Sequence, residues 1–310
     1  MRIICGVDAS KAWLDAGIAP DRYQRFANAP EGIAALADFC RAHGAAMVVM
    51  EASGGVEQEA FLALWRQGLP CAIVNPAAVR HFAKAMGYLE KTDRIDAAMI
   101  AGFAEAKRIE PTPPPSQDQR KLTALATRMR QVSADLGVQK QRLASTRDEA
   151  ARDSLREAIA FFTRQARILA AEIAALVQTD PLWRELDRTL RSVKGVADRT
   201  VAVLLADLPE IGTLSNKAIA KITGLAPIAN DSGKRQGKRP VRGGRASVRS
   251  ILYLVADLAR KFDQSLADFR QRLLDQGKPK MVVRVALAHK LLVRLNAKAR
   301  DARANLASAV

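Results

Sequence analysis

Cysteine, histidine and aromatic residues are scarce in this chain. Its 310 residues include three cysteines (Cys5, Cys40, Cys71), three histidines (His43, His81, His289) and 5% Phe, Trp and Tyr. The cysteines lie in apolar segments without ligand spacing. Neither a disulfide framework nor a structural zinc site is expected, and a reducing cytoplasm suits them. No run approaches the ~18 consecutive apolar residues of a membrane span. The first apolar run is broken at Asp8, too early for a secretory leader. Acid is also in deficit: 49 Lys and Arg face 32 Asp and Glu, a net charge of +17. That deficit is local, because residues 1–110 hold 12 cations and 13 acids, whereas residues 111–310 hold 37 and 19. A near-neutral front and a basic back imply separate tasks, with the back meeting a polyanion. Nucleic acid is the polyanion expected of a chain without a membrane span. The length implies about two domains, and a 49% hydrophobic content supplies their cores.

Residues 2–7, 14–19 and 23–26 read as three strands close enough to be joined by hairpins. Asn28-Ala29-Pro30-Glu31 opens a helix to about His43, which Gly44 stops. Ala46–Met50 and Cys71–Val74 are short, continuous apolar runs, the mark of buried strands. Between them Ser53-Gly54-Gly55 turns into a helix ending near Gln67, and further helices are predicted at 76–86 and 92–108. The order βββαβαβα gives an α/β layer in residues 1–110. Pro111–Ser116 cannot continue a helix and forms a semi-rigid linker. Beyond it, residues 117–179 carry heptad seams on two helices: Leu122, Leu125, Met129, Val132 and Leu136, then Leu155, Ile159, Phe162, Ala166, Leu169, Ile173 and Leu176. The polar stretch 145–154 suits a hairpin tip. So narrow a stripe needs a partner, which is the other arm of the hairpin or another subunit. Residues 180–310 lack strand signals, with helices predicted at 215–223, 246–261, 265–276 and 279–305. Within them, Leu190–Ala197 is similar to a helix-hairpin-helix, which would bring Lys194, Gly195 and helix-start N–H groups to phosphates.

Two constellations carry chemistry. Asp8 ends the first strand and Glu51 the fourth, while Asp93 and Asp96 share one face of a helix. Adjacent strand ends and a helix packed over them can bring the four carboxylates together. Their repulsion then calls for a cation, and hard oxygen donors select Mg²⁺ or Mn²⁺. Such ions stabilise in-line displacement at a phosphodiester. The same residues also suit plainer tasks, Asp93 and Asp96 as helix-start charges and Asp8 as a turn former. The second constellation is the stretch Gly233–Arg249, with seven cations (Lys234, Arg235, Lys238, Arg239, Arg242, Arg245, Arg249), four glycines and no acid. Glycine lets the main chain approach a phosphate backbone closely. Ser232 stands at the mouth of this stretch, either as a nucleophile in a cationic field or as the cap of a solvated turn.

Gly6-Val7-Asp8-Ala9-Ser10-Lys11, Met50-Glu51-Ala52-Ser53-Gly54-Gly55 and Lys91-Thr92-Asp93-Arg94-Ile95-Asp96-Ala97 together resemble the DEDD transposases of bacterial insertion sequences, a family that includes the Piv-type DNA invertases. Val193–Val196, Thr223–Pro227, Asp231–Lys234, Gly243–Arg245 and Arg249–Leu252 resemble its second transposase domain in order and spacing. One departure is Gly-Gly-Arg-Ala-Ser-Val-Arg at 243–249, where many relatives carry Lys-x-Gly-Asn. The resemblance implies an α/β plus all-α chain: an RNase H or RuvC-like domain at 1–110, long coiled-coil helices at 117–179 and a helical transposase domain at 180–310. It implies that Asp8, Glu51, Asp93 and Asp96 are metal ligands and that Ser232 forms a covalent phosphoserine link to DNA. It further implies donor and target DNA, a structured noncoding guide RNA and a homo-oligomer (dimer or tetramer) built through the coiled coil. The expected location is the bacterial cytoplasm, with nucleoid association during action. A hydrolytic RuvC-like resolvase or nuclease, and a non-catalytic nucleic-acid-binding scaffold, are the competing readings of the same residues.

Overall fold

Strands β1 (Ile4–Ala9), β2 (Trp13–Ile18) and β3 (Arg22–Ala27) pair antiparallel, as their close spacing predicts. Strands β4 (Met47–Glu51) and β5 (Cys71–Val74) add in parallel and complete one sheet in the order β3-β2-β1-β4-β5. Helices α1 (Pro30–Ala42), α2 (Gln58–Arg66), α3 (Pro76–Ala85) and α4 (Asp93–Lys107) accompany it. The computed structural model describes residues 2–19, 21–90, 92–233 and 237–308, and the chain divides into two units, Met1–Pro115 and Ser116–Val310. The first unit, a mixed sheet with helices, is consistent with the RuvC-like architecture that the resemblance implies.

Period-two alternation sends alternate residues of this sheet to two different cores. Cys5, Val7, Leu14, Ala16, Phe26, Val48 and Met50 pack with Ile33 and Leu36 of α1 and Phe61 and Leu64 of α2. Ile4, Met47, Val49, Ala72 and Val74 face the other way and pack with Ile100, Ala101 and Ala104 of α4. On that second face Gly6 stands directly under α4. A Cβ on Gly6 would clash with the Ala97 carbonyl oxygen, far inside van der Waals contact, and stand 2.6 Å from the Ala101 amide nitrogen. Strand β1 starts two residues later than the apolar pattern predicts, and Asp8 lies within it rather than after it.

In the second unit, α5 (Gln117–Ser145) and α6 (Glu149–Thr179) are consecutive long helices that lie against each other. The tip between them is Thr146–Asp148, shorter than the polar stretch 145–154 predicts. Asp148 caps α6 by accepting a hydrogen bond from the Ala151 amide, and Arg152 donates to the carbonyl oxygens of Leu143 and Thr146. Leu122, Ala126, Met129 and Val132 of α5 and Leu169, Ile173 and Leu176 of α6 are buried in one core. That core also takes residues from α7 (Pro181–Arg191), α8 (Asp198–Asp207), α9 (Asn216–Ile222), α10 (Ala246–Ala259), α11 (Gln264–Asp275) and α12 (Lys280–Ser308). Residues 117–179 are therefore not a separate segment, and the inner half of the seam finds its partner in its own chain. Toward the tip the stripe is only half-buried at Leu136, Leu143, Leu155 and Ile159. Among the described residues no helix is long and apolar enough to cross a membrane.

The Gly6 contact gives the first prediction. Gly6→Ala forces α4 off β1, and overpacking of this kind costs about 3 kcal/mol. Thermal unfolding of the full chain is expected to show a lowered midpoint for this variant, whereas Gly137→Ala, in helix α5 with nothing near its Cβ position and no left-handed backbone, should not lower it.

Candidate active site and basic loop

The parity that sends Met47 and Val49 to α4 also sends Glu51 there, and Asp8 follows Ile4 and Gly6 onto the same face. Helix α4 begins above this face. Thr92 caps it by accepting a hydrogen bond from the Ile95 amide (3.3 Å), which places Asp93 and Asp96 in the first turn. A helix N-terminus favours carboxylates there. All four predicted acids thus belong to one sheet face or to the start of the helix that covers it. Beyond Glu51 the chain turns through Gly54 and Gly55, and buried Glu57 holds the turn by accepting from the amides of Ser53 (3.1 Å) and Gly55 (2.9 Å).

A fifth acid shares the face. Asp15 of β2 lies directly opposite Asp8 in the register and is 3% exposed. It accepts hydrogen bonds from the Tyr23 hydroxyl (2.5 Å) and from Arg25 Nε (2.8 Å) on β3. Arg25 reaches onward to the Asp93 carboxylate. The hydrogen bond to Asp15 pushes the Arg25 guanidinium above its ordinary value, and burial followed by the same carboxylate pushes the Tyr23 phenol up. Both groups therefore stay protonated as donors. The donor set, carboxylate oxygens throughout, has the chemistry of a hard divalent-cation site. Among the described residues, however, no three His, Cys, Asp or Glu side chains come close enough together to hold a metal ion. Asp93 is engaged by Arg25 instead.

Ser232 is exposed on the loop between α9 and α10. Its neighbour Asp231 accepts from Arg239 Nη2 (2.7 Å) and from the Gly237 amide (3.2 Å), which folds the loop back on itself. The Ile228 amide donates to the Pro240 carbonyl oxygen (3.0 Å) across it. At the base, Gly224 and Gly244 meet backbone to backbone. Both have positive φ (69° and 67°), and a Cβ on Gly244 would stand 2.7 Å from the Ile222 carbonyl oxygen. Beside that junction the Arg245 guanidinium clasps Glu210 in two bonds (2.5 and 2.6 Å) and donates to the Asp207 carbonyl oxygen.

Family comparison covers both regions. Residues 5–150 match the model of an IS110-type DEDD transposase domain, and residues 187–271 match that of the IS116/IS110/IS902 transposase family. The chain belongs to this insertion-sequence transposase family. Two pilin gene-inverting proteins, from Moraxella bovis and Moraxella lacunata, are each similar to it at 27% identity over 305 residues, 93% of this chain and 92% of theirs. Membership makes the chain a DNA-recombining enzyme.

Within this transposase the predicted phosphate contacts divide. Lys194, Lys238 and Arg242 are exposed, and Gly195 lies half-buried in the turn between α7 and α8. Arg239 pairs with Asp231, Arg245 with Glu210, and Arg249 donates to the Gly243 carbonyl oxygen. Lys234 and Arg235 lie outside the described residues. The first turn of α8 holds Asp198, ion-paired with Arg191, where the hairpin resemblance points to phosphate. Sequence reasoning missed Asp15, Tyr23, Arg25 and Glu210. The signal for Asp15 was present: an acid in mid-strand at the parity of Asp8 across a hairpin.

The Glu210–Arg245 clasp is testable by pH. Burial pushes the Glu210 carboxyl up, but the Arg245 hydrogen bonds outweigh it and hold it below its ordinary value. A lowered folded value means that the contribution is fully present above about pH 4.3, the ordinary glutamate value, and is lost as pH falls through the folded one. Glu210→Gln is expected to lower stability at pH 7 by about 1 kcal/mol, a figure discounted for the partial exposure of both side chains. In denaturant titrations monitored by circular dichroism, the difference between wild type and variant should shrink as pH falls below the ordinary glutamate value.

Proposed function

We propose that this transposase cuts and rejoins DNA through Ser232, with Asp8, Glu51, Asp93 and Asp96 as holders of Mg²⁺ or Mn²⁺. The observation that carries the proposal is the common face: strand parity puts Asp8 and Glu51 under the helix start that bears Asp93 and Asp96. When bound there, a divalent cation supplies charge stabilisation at a phosphodiester. Ser232 Oγ attacks phosphorus, so an Oγ–P bond forms and one P–O bond of the DNA strand breaks. The serine loses its proton, and the departing deoxyribose oxygen takes the electron pair and a proton. The Ser–phosphate bond conserves the phosphodiester's energy, and attack by a deoxyribose hydroxyl reverses the step without ATP. The glycine-lined loop around Ser232 permits close approach of a phosphate, and its exposed cations offset the charge that develops.

Donor and target DNA are the substrates of this reading, with a structured noncoding RNA as guide and a homo-oligomer as the working form. Family membership and the cation excess of residues 111–310 support the nucleic acids. The exposed apolar residues Val138, Phe161 and Ile168 on the α5–α6 arm support a further subunit contact. The Moraxella relatives, by their names, invert a pilin gene, and a DNA rearrangement is the class of reaction proposed for this chain.

Ser232→Ala is expected to lose both cleavage and joining while keeping nucleic-acid binding. With labelled DNA on a denaturing gel, the wild-type chain should give a shifted band that maps to a Ser232 peptide and is absent from the variant. Free 5′-phosphate ends accumulating equally in both proteins would instead assign the chemistry to water and a hydrolytic nuclease. Asp8→Ala should abolish the shifted band with folding intact.

The loop cations give a separate expectation. Lys238→Glu with Arg242→Glu removes two phosphate contacts, so the log–log slope of duplex affinity against salt should flatten by about 2. An unchanged slope in filter-binding measurements would exclude these residues from the phosphate track.

A further inference from the structure

Asp15 and Arg25 have no part in the chemistry above, yet they are built into the same face. Arg25 Nε and Nη2 bind the two oxygens of buried Asp15 (2.8 and 3.3 Å), and the same Nη2 reaches Asp93. Asp15 lies on β2 and Arg25 on β3, whereas Asp8 lies on β1 and Glu51 on β4. In the strand order β3-β2-β1-β4-β5, Arg25 therefore draws the Asp93 carboxylate toward one side of the sheet while Glu51 stands on the other. A guanidinium and a divalent cation compete for the same carboxylate lone pairs.

We propose that Arg25 is a positioning residue that holds Asp93 on the β2–β3 side, and that Asp93 joins Asp8 and Glu51 around a divalent cation only when Arg25 releases it. The inference rests on the reading of Asp93 as a metal ligand. The anchor is firm, because Asp15 is buried and leaving it without a cation is costly. The gripping end is open: the Arg25 side chain is 42% exposed and its guanidinium lies 5.8 Å over the Trp13 ring. A nucleic-acid phosphate is the anion with the charge and fork geometry to draw that guanidinium away from Asp93. Divalent-cation binding and nucleic-acid binding then favour each other, and by linkage they do so equally in both directions.

The test is calorimetric titration of Mg²⁺ into the full-length protein and three variants. Arg25→Gln is expected to bind Mg²⁺ about tenfold more tightly, since one competing charge is gone. That variant leaves Asp15 uncompensated, so the pair Asp15→Asn with Arg25→Gln is the stricter probe. It keeps the net charge of the two positions at zero and preserves an acceptor for Tyr23, yet it releases Asp93. Tighter binding by this neutral pair supports the inference, and binding equal to or weaker than wild type overturns it. Asp93→Asn separates the two levels. Weakened Mg²⁺ binding in Asp93→Asn beside an unchanged neutral pair removes only the role of Arg25. Unaltered binding in Asp93→Asn removes the ligand assignment and the inference with it.

Discussion

Helix α4 rests on the backbone of β1 because Gly6 puts no side chain beneath Ala97 and Ala101. Helices ordinarily stand off a sheet by the depth of two side chains, about 10 Å. Here that spacer is absent at one point, and the start of the helix is brought down to the end of the strand. The placement of the acids follows from this contact. With a larger residue at position 6, Asp93 and Asp96 would stand above Asp8 and Glu51 by the thickness of that side chain. Gly17 on the neighbouring strand continues the low ground, with an added Cβ meeting Ala97 Cβ at 3.2 Å.

Two periodicities meet at that contact. Alternation along β1 and β4 selects which side of the sheet is acidic, and the 3.6-residue period of α4 puts Ala97, Ile100, Ala101 and Ala104 against the sheet. The capping threonine just ahead sets the first turn. None of these features is chemical in the catalytic sense, yet together they place Asp8, Asp15, Glu51 and Arg25 on one sheet face and Asp93 and Asp96 at the start of the helix that covers it.

The sequence was most legible in where elements and side chains fall. The positions of Asp8 and Glu51 on one sheet face and of Asp93 and Asp96 at a helix start could be read because each acid interrupts or opens an apolar pattern, and the element order was readable from short apolar runs and the glycines and prolines between them. Arg25 was not legible, since an arginine on a half-exposed strand carries no mark of the two acids it spans, and those acids lie 10 and 68 positions away. Arg245 was misleading in the opposite sense. It looked like one more cation in a basic loop, and only folding brings Glu210 to it. The inner part of the heptad stripe is buried, at Leu122, Met129, Val132, Leu169, Ile173 and Leu176, but no pattern on one helix states whether its partner lies in the same chain. That depended on the three-residue tip at Thr146–Asp148, which folds α6 back along α5.

The loop that carries Ser232 is closed at its neck by the contact of Gly224 with Gly244, by Arg245 on Glu210 and by the Arg245 amide on the Ile222 carbonyl oxygen (2.8 Å). A loop fastened in this way transmits little from its tip to the core beneath. Residues between the neck and the tip can be exchanged, lengthened or shortened at small cost, because closure entropy grows only slowly with length. Such a neck separates two kinds of evolutionary pressure. The neck is bound by backbone contact and tolerates little change, whereas exposed positions such as Lys238 and Arg242 carry no such packing constraint. Divergence among insertion sequences can then concentrate in a few residues without a new fold having to be found.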